Sequence, residues 1–389
     1  MNRRLDRASP RPLAVALSGG GDSVALLRVA AGWARGAGRR LLVLTVDHRL
    51  QPESAGWTEA CAARAAAAGA DFRALSWDGE KPLRGLPAAA RTARQRLLAE
   101  AARTAGAQVI LMGHTADDIL EARTMRAAGS STPEPREWTP SPAWPEGRGV
   151  FLARPLLDAR RAVIRDWLAA HDEVWIEDPA NTDLRYARAR ARKALGAATF
   201  SLEKAQTPAK ALALACQMDA AGVLSVARRE LRAAAAPTFT AAACLCAAGT
   251  SRPPAADRVG ALVARLRSHE TVTATLAGAR IEADAEKVTF LREPGEVRRG
   301  GLAALSLAAG DTAVWDGRFE IAAAEAMTVR ALGGLASRLA KAERAGLQEF
   351  TPKARAALPA TADGRLVAAR ALALERLRAA CGVVAREPA

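Results

Sequence analysis

The first half of the chain alternates short apolar runs with longer stretches in which apolar residues recur every three or four positions. The apolar runs are typical of buried strands and cover residues 13–17, 41–46, 72–77 and 108–112. The intervening stretches have the spacing of helices that bury one face and cover residues 24–29, 55–68 and 87–104. This alternation predicts an α/β fold with a doubly wound, mostly parallel sheet, in which ligands bind beyond the carboxyl ends of the strands.

The pattern changes after residue 130. Residues 130–149 are rich in Pro, Ser, Trp and Glu and predict an irregular loop or lid. An amphipathic helix is expected over 154–170 and a basic helix over 185–193. The basic run has few acidic partners, which favours phosphate contacts over a merely solvated helix face.

The remaining residues predict two further domains. Residues from about 200 to 265 are rich in Ala and Leu and read as helical, and the alternating residues 271–292 predict a hairpin at the end of that domain. Short strand pairs are expected around residue 315 and after residue 358. We therefore predict a nucleotide-binding domain, a helical middle domain and a small α+β domain, with bounds 1–198, 199–295 and 296–389.

Composition indicates a globular protein with a polyanionic partner. The chain has 389 residues, too many for one ordinary core, and its 50% hydrophobic content is that of globular proteins. Lys and Arg number 56 against 41 Asp and Glu, a net charge of +15. This excess favours nucleic acid, although arginine on solvated faces would also produce it. Aromatic residues make up only 4%, so phosphate contacts are favoured over base stacking.

The cysteines and the apolar runs indicate the cellular compartment of the protein. The five cysteines are scattered, without a C-x-x-C pair, and signal neither a disulfide framework nor a zinc or iron–sulfur site. The N-terminus has no apolar signal core, and no apolar run reaches the roughly 18 residues that cross a bilayer. The sequence therefore predicts a cytoplasmic protein with no membrane partner.

A glycine-rich turn joins the first predicted strand to the first predicted helix. It consists of Ser18, Gly19, Gly20, Gly21, Asp22 and Ser23. Three glycines let backbone N–H groups approach a polyanion, and the helix N-terminus contributes its positive dipole end. The two serines add hydroxyl donors, and Asp22 offers a carboxylate for a divalent cation. The simpler alternative is a strand-to-helix turn in which Asp22 or Ser23 caps the helix.

A second group of polar residues follows the strand that ends near residue 112. His114 comes first, and Asp118 and Glu121 then lie one helical turn apart on one face. Two carboxylates there can bind a cationic substrate or a metal ion. The simpler alternative is that Asp117 caps the helix while the others favour its dipole. Asp47 and His48 end another strand, so these groups could line one crevice.

The glycine-rich turn resembles the S-G-G-x-D-S signature of the PP-loop ATP pyrophosphatases. Five further motifs follow it in order over about the first 195 residues, and together they resemble tRNA(Ile)-lysidine synthetases. They are residues 46–54, Arg91 with Arg94, residues 114–121, residues 154–157, and residues 177–192. The chain departs from the family pattern at Gln51, Gln95, Thr115, Ile119, Ala122 and Ala189.

The resemblance implies an ATP-dependent reaction on tRNA. The enzyme would adenylate the wobble cytidine of the isoleucine tRNA with a CAU anticodon, and the ε-amine of free L-lysine would then displace AMP to form lysidine. By similarity, residues 18–23 hold the phosphates of ATP and Asp22 places Mg²⁺. Asp47, His48 and His114 complete the ATP site. A homodimer is one further expectation.

The resemblance also implies roles for charged side chains. Asp118 and Glu121 match the positions that hold lysine, and carboxylates fit both the ammonium group and its deprotonation. Arg91 is the candidate for stabilising charge on the phosphate or the activated base, and with Asp22, Asp118 and Glu121 it forms the predicted catalytic set. The candidates for contacts to the tRNA backbone are Arg154, Arg188 and Arg192.

Three alternatives remain open from the sequence. One is another PP-loop enzyme, such as a tRNA thiolase or an amide-forming synthetase, although the cysteines that such enzymes use are not visible. A second is a non-catalytic RNA-binding protein that has kept the fold, which the substitutions near Glu121 make conceivable. A third is a transition-metal site at His48 and His114 with nearby carboxylates.

Overall fold

The computed structural model describes residues 1–130, 132–179, 183–195, 215–232, 236–268, 270–295 and 302–389. These residues form two compact units. The first comprises Met1–Ala209 together with Val384–Ala389, and the second comprises Lys210–Val383. The predicted boundary at 198/199 and the start of the predicted helical segment at 200–214 lie outside the described residues, and the boundary at 295/296 lies at the end of a described range. The three-domain division stays a prediction.

The first unit is built on one six-stranded sheet. Its strands are β1 Leu13–Ala16, β2 Leu41–Asp47, β3 Asp71–Ser76, β4 Val109–Leu111, β5 Trp138–Pro140 and β6 Phe151–Ala153. Its helices are α1 Gly21–Ala37, α2 Ser54–Ala67, α3 Leu86–Thr104, α4 Ala116–Ala127, α5 Arg161–Ala169 and α6 Ala187–Leu195. The strand order is β3-β2-β1-β4-β6-β5, and every pair is parallel except β5 with β6. The predicted doubly wound, mostly parallel sheet is confirmed.

The central strands are apolar on both faces because helices cover both faces. In β1, Leu13 and Val15 belong to a core that includes residues of α1 and α5, whereas Ala14 belongs to a second core that includes residues of α3. All three of these β1 side chains are fully buried. Continuous burial explains why this strand has no alternating pattern.

Two predictions in this unit differ from the structure. The predicted loop at 130–149 contains the edge strand β5, which pairs antiparallel with β6 at Trp138↔Ala153. The helix expected from residue 154 begins only at Arg161. Residues 155–158 form a turn before the helix, and Pro155 disfavours the helical conformation in Arg154.

The second unit contains a five-stranded antiparallel sheet covered by helices. The sheet has the order β7-β8-β11-β10-β9, with β7 Gln217–Met218, β8 Leu224–Ala227, β9 Val272–Leu276, β10 Ala279–Ala283 and β11 Lys287–Arg292. The helices α7 Ala236–Ala248 and α8 Ala256–Arg267 pack on it, and Phe239 meets Phe290 in the core. The predicted hairpin at 271–292 is therefore a three-stranded meander, extended by strands from the segment predicted as helical. Its Ala-rich composition favours helix, and long-range pairing of β8 with β11 overrides that preference.

Two three-stranded sheets complete the second unit. Their orders are β12-β15-β16 and β13-β14-β17, with β12 Leu305–Leu307, β13 Thr312–Trp315, β14 Phe319–Ala322, β15 Met327–Ala331, β16 Pro359–Thr361 and β17 Arg370–Ala371. The remaining helices are α9 Lys341–Gly346 and α10 Ala373–Ala380, with 3₁₀ turns at Arg228–Arg232, Ala336–Arg338, Leu347–Glu349 and Arg355–Ala357. The expected strand-turn-strand around residue 315 is the β13–β14 hairpin. Among the described residues, no helix is both long and apolar enough to cross a membrane.

Candidate active site

The glycine-rich turn follows β1 directly and leads into α1. Gly19 has a φ of +79°, a backbone conformation that favours glycine, and a Cβ there would lie 2.4 Å from Cδ1 at the end of the Ile176 side chain, which would have to move. Gly20 is the N-cap residue of α1. The next glycine-dependent contact is at Gly113, beyond β4, where a Cβ would lie 3.0 Å from the backbone oxygen of Asp22. The turn is thus packed tightly between the ends of β1 and β4.

Hydrogen bonds within the turn hold it open towards the sheet edge. The Ser23 hydroxyl donates to the Gly20 carbonyl at 2.8 Å and accepts the backbone N–H of Ser18 at 3.2 Å. The first N–H groups of a helix have no intrahelical acceptor, so the amides at the start of α1 are available to an anion. The capping alternative is not what the structure shows, because the N-cap is Gly20 and Asp22 lies inside the helix.

The carboxyl ends of β2 and β4 bring the predicted strand-end residues to the same edge. Asp47 ends β2, and its Oδ1 accepts the backbone N–H of Arg49 at 2.7 Å. His48 follows, and its ring lies edge-on to Trp77 at 5.9 Å between centroids. Burial, with the charge of Arg94, lowers the pKa of His48. Its buried Nδ1 has no hydrogen-bond partner among the described residues.

Asp118 and Glu121 lie on α4 at this edge, and both are buried. Thr115 is the N-cap of α4, and its backbone N–H and hydroxyl donate to Oδ2 of Asp118 at 2.7 and 3.0 Å. Glu121 is only 1% exposed. The two carboxylates predicted from their spacing therefore do share one helix face. Asp117 does not cap its own helix; its carboxylate accepts the backbone N–H of Arg161 at 2.7 Å, at the start of α5.

Three arginines surround Glu121. Its Oε1 accepts Arg161 Nη1 and Arg192 Nε, each at 2.9 Å, and its Oε2 accepts Arg188 Nε at 2.7 Å. Arg188 also donates to Oδ1 of Asp118 at 2.6 Å. Burial opposes the ionisation of Glu121, but the three guanidinium groups outweigh it and lower the pKa of this carboxyl. Glu121 is therefore an ionised carboxylate in a pocket that holds cations.

Arg161 links all three predicted carboxylates. Its Nε donates to Oδ2 of Asp22 at 3.0 Å, its Nη1 contacts Glu121, and its Nη2 lies 3.6 Å from Oδ2 of Asp118. Burial raises the pKa of Asp22, although Arg161 opposes that effect. The carboxylate of the glycine-rich turn and the acidic pair of α4 thus belong to a single site.

Arg154 lies inside the protein at the end of β6. It is 8% exposed, and its Nη1 donates to the Arg136 carbonyl at 2.6 Å and to the Thr139 hydroxyl at 3.2 Å. Its Nε donates to Nδ1 of His114 at 3.2 Å. Burial, with Arg154 and three further arginines nearby, lowers the pKa of His114 well below its usual value.

Arg91 and Arg94 add positive charge from α3. Burial, with Arg188 nearby, lowers the pKa of Arg91. Burial and the charges of Arg91 and Arg188 lower the pKa of Arg94 to about 10. Within the described residues, the buried Nε of Arg94 has no hydrogen-bond partner. Although Asp118 partly offsets their charge, the mutual repulsion of these cations fits an anionic ligand at this side of the site.

Arg161 is missing from the sequence prediction of this site, and Thr115 was named there only as a departure from the family pattern. Neither residue was predicted to have a chemical role. Arg161 acts through carboxylates far along the chain, and Thr115 acts by capping α4. Arg161 begins the helix that follows β6, so it lies near the carboxyl edge of the sheet. That position could have identified it as a site residue. In the described part of the chain, no group of three or more His, Cys, Asp or Glu side chains is placed to hold a metal ion.

The fold and the site together define a PP-loop nucleotide-binding enzyme. The PP-loop domain family model matches residues 1–199, so the use of ATP follows from the family. Among solved structures, a U34-tRNA thiolase from Methanococcus maripaludis aligns with a TM-score of 0.40 and 13% identity, covering 48% of this chain and 66% of that chain.

Curated proteins with similar sequences indicate which PP-loop enzymes this chain resembles. The tRNA(Ile)-lysidine synthase of Caulobacter vibrioides is 49% identical over an alignment of 406 positions, gaps included, which covers 100% of this chain and 97% of that protein. The Mesorhizobium japonicum protein of the same name is 34% identical, covering 83% of this chain and 76% of the relative. A third, from Hyphomonas neptunium, is 41% identical over 49% of this chain and 52% of its own length.

The chain belongs to the tRNA(Ile)-lysidine synthase family. The predicted enzyme class and the formation of lysidine on tRNA(Ile) are confirmed, and the alternatives of a different PP-loop enzyme and of a non-catalytic RNA-binding protein lose their support. The roles of individual residues stay predictions.

Proposed function

We propose that this chain adenylates the wobble cytidine of the isoleucine tRNA with a CAU anticodon and then joins free L-lysine to the activated base. The observation that carries the proposal is the buried pair Asp118 and Glu121 beside the glycine-rich turn, already matched to cationic side chains. One edge of the sheet therefore offers an anion site and a cation site side by side. This is what a reaction between a nucleotide triphosphate and an amine requires.

ATP binding is assigned to the glycine-rich turn. The amides of Gly19, Gly20 and Gly21, with the hydroxyls of Ser18 and Ser23, would hold the phosphates, and Asp47, His48 and His114 would border the nucleoside. The Asp22 carboxylate fits Mg²⁺, because this hard ion usually binds through one or two carboxylates together with phosphates and water. When bound, Mg²⁺ would neutralise phosphate charge. Pyrophosphate would leave as the cytidine oxygen attacks the α-phosphate.

Lysine binding is assigned to Asp118 and Glu121. The lysine ammonium group would take the place of guanidinium N–H groups on these carboxylates, since both are cationic donors. Because the pKa of Glu121 is lowered, it stays ionised and suits holding the charge of lysine better than removing its proton. Arg91 and Arg94 lie on the cationic side and would stabilise the charge on phosphate or on the activated base.

Contacts to tRNA are assigned to the basic helix α6. The side chains of Arg188 and Arg192 are 39% and 36% exposed, so they can reach a phosphate as well as Glu121. Arg154 was predicted for the same role, but its burial against His114 and the Arg136 carbonyl favours a role inside the domain. The net charge of +15 supports a polyanionic partner. We place the reaction in the cytoplasm, where tRNA is modified, and a homodimer stays a prediction.

The test is incubation of the full chain with ATP, Mg²⁺, labelled lysine and tRNA transcripts that differ only in a CAU or GAU anticodon. We expect label transfer and pyrophosphate release with the CAU transcript alone. Asp118→Asn should abolish transfer, whereas Glu134→Gln should not, because Glu134 pairs with Arg123 and Arg126 away from the proposed lysine contacts. Full transfer by Asp118→Asn would remove the lysine assignment.

A further inference from the structure

The last six residues of the chain belong to the catalytic unit, although the residues before them form the second unit. We call residues 384–389 the C-terminal strap. It contacts the N-terminal segment and β5, and these contacts do not involve the glycine-rich turn or the acidic pair. Its hydrogen bonds nevertheless lead to the active site.

Glu387 anchors the strap with a buried ion pair. Its Oε2 accepts Arg39 Nη1 at 2.7 Å and its Oε1 accepts Arg39 Nη2 at 2.9 Å, and the side chains are 0% and 2% exposed. Oε2 also accepts the backbone N–H of Asp6 at 3.0 Å. Breaking such a pair leaves a buried charge without a partner, so the strap is fixed at this end.

The other end of the strap contacts the edge strand β5. The Val384 carbonyl accepts Nε1 of Trp138 at 2.8 Å, and the Ala385 carbonyl accepts Nη1 of Arg4 at 2.6 Å. Trp138 stacks on Phe151 of β6 with ring centroids 5.0 Å apart. Because β5 lies at the edge of the sheet, only β6 pairs with it. The hydrogen bond from Trp138 to the strap therefore holds β5 from outside the sheet.

The residues of and next to β5 hold Arg154 in turn. The backbone N–H of Arg154 donates to the Glu137 carbonyl at 2.9 Å, and its guanidinium contacts the Arg136 carbonyl and the Thr139 hydroxyl. The same guanidinium donates through Nε to Nδ1 of His114. Hydrogen bonds, together with the backbone of residues 136–139, therefore join the strap to His114 at the carboxyl end of β4.

The direction of the last bond fixes the state of His114. A guanidinium can only donate, so Nδ1 of His114 must be the acceptor and the ring proton must sit on Nε2. The imidazole is then neutral, with one N–H donor left for a ligand. A His114 ring that loses Arg154 would be free to take either tautomer or a second proton.

We propose that the C-terminal strap, through Trp138 and β5, positions Arg154 so that His114 presents its Nε2–H to the active site. Trp138 and Glu387 are positioning residues in this scheme. The proposal rests on the proposed function only in taking His114 as part of the ATP site. The charged groups that face His114 are Arg154 after β6, Arg91 and Arg94 on α3, and Arg188 on α6.

The decisive measurement is ¹⁵N NMR of the histidine side chains in the full chain without ligands. We expect the wild-type His114 ring to be a single Nε2–H tautomer that stays neutral through pH 6. Trp138→Phe keeps the ring stacking but removes the bond to Val384, and it should produce a mixture of tautomers and protonation closer to the ordinary pKa of about 6.5. The control is Trp33→Phe, which loses an indole bond to Asn2 in the same unit and should leave His114 unchanged.

Activity gives a second readout. In Trp138→Phe, pyrophosphate release at limiting ATP should fall about fivefold at pH 6 and recover at pH 8, the scale of one lost hydrogen bond. Glu387→Gln should behave in the same way if it folds, and Arg154→Met combined with Trp138→Phe should change His114 no more than Arg154→Met alone. A wild-type His114 spectrum in folded Trp138→Phe would overturn the proposal. Absence of lysidine formation by the wild type would instead overturn the proposed function and leave the NMR result intact.

Discussion

Single residues decide the shape and the charge of this site. Gly19 has a left-handed backbone, Glu121 is buried among guanidinium groups, and His114 is held neutral by an arginine. Each of these states is set by the immediate surroundings of one residue. Each therefore gives a prediction that one substitution can test.

Gly19→Ala should weaken both folding and ATP binding. The left-handed φ costs a residue with a Cβ about 1–2 kcal/mol, and the new methyl group would clash with Ile176. Urea unfolding and ATP titration measure the two effects. The matched control is Gly32→Ala in α1, where a Cβ meets nothing within 4 Å and should stabilise the helix by about 1 kcal/mol. Equal stability of the two variants would contradict the argument.

Glu121→Gln should destabilise the catalytic unit by about 3–5 kcal/mol, because three arginines would face one another around a neutral amide. It should also raise the KM for lysine. Chemical unfolding and lysine-dependent transfer are the measurements. The control is Glu134→Gln, whose ion pairs are partly exposed, and it should change stability by less than about 1 kcal/mol. Wild-type stability in Glu121→Gln would show that the ion pairs of Glu121 with the three arginines do not stabilise the fold.

His114 should make the stability of the catalytic unit depend on pH. Its folded pKa lies well below the ordinary 6.5, so between these values the unfolded chain binds a proton that the folded chain does not. Stability therefore rises with pH through this window, by at most about 1.4 kcal/mol per unit from one group, and is lost as pH falls. His114→Gln should flatten the slope between pH 5 and 7 in urea unfolding. His48 contributes with the same sign, so some slope should remain.

At the scale of elements, three helix N-termini and one basic helix assemble the site. The start of α1 carries the glycine-rich turn, Thr115 caps α4, and Asp117 of α4 caps α5 by accepting the N–H of Arg161. Helix α6 then brings Arg188 and Arg192 onto α4. The buried positions Ile119, Ala122 and Ala189, where the sequence departs from the family pattern, lie on α4 and α6 and are apolar.

Arg192→Met should show how far α6 stabilises ionised Glu121, apart from its proposed contact to tRNA. Glu121 would lose one of its three cationic partners, and its lowered pKa would move back towards the ordinary value. The stability from ionised Glu121 is present above the unfolded pKa and lost as pH falls through the folded one, so acid unfolding should begin at a higher pH. Arg190→Met on the same helix is the control, since Arg190 donates to the backbone carbonyls of Leu184 and Arg185. Identical acid unfolding of both variants would exclude the effect.

The elements were largely predictable, and the partners of the charged residues were not. Strands β1, β2 and β4 and helices α1 to α3 follow from local periodicity, and the spacing of Asp118 and Glu121 suffices to place them on one face. The edge strand β5 has the sequence Trp-Thr-Pro and lies in a Pro-rich segment without a buried apolar run, so only its pairing with β6 defines it. The partners of Glu121 lie 40 to 71 residues away along the chain, beyond the reach of any local pattern.

At the scale of the whole molecule, the net charge of +15 should govern tRNA binding. Each phosphate neutralised releases counterions, so affinity falls with salt with a log–log slope of about −0.7 to −0.9 per contact. If Arg188 and Arg192 both contact phosphate, the slope should be steeper than about −1.4, and replacing either should reduce it by about one. Filter binding at several salt concentrations measures this. An unchanged slope in Arg188→Gln would remove that residue from the tRNA contacts.

The sequence by itself determined the alternation of strands and helices, the glycine-rich turn and the acidic pair, because periodicity and glycine's backbone freedom act over a few residues. Only the tertiary structure decided that Arg161 joins Asp22 to Glu121, that Arg154 turns inward to His114, and that Glu387 closes on Arg39. A guanidinium accepts any carboxylate or carbonyl oxygen within reach, so its partner is set by how distant elements pack and not by its neighbours in the chain.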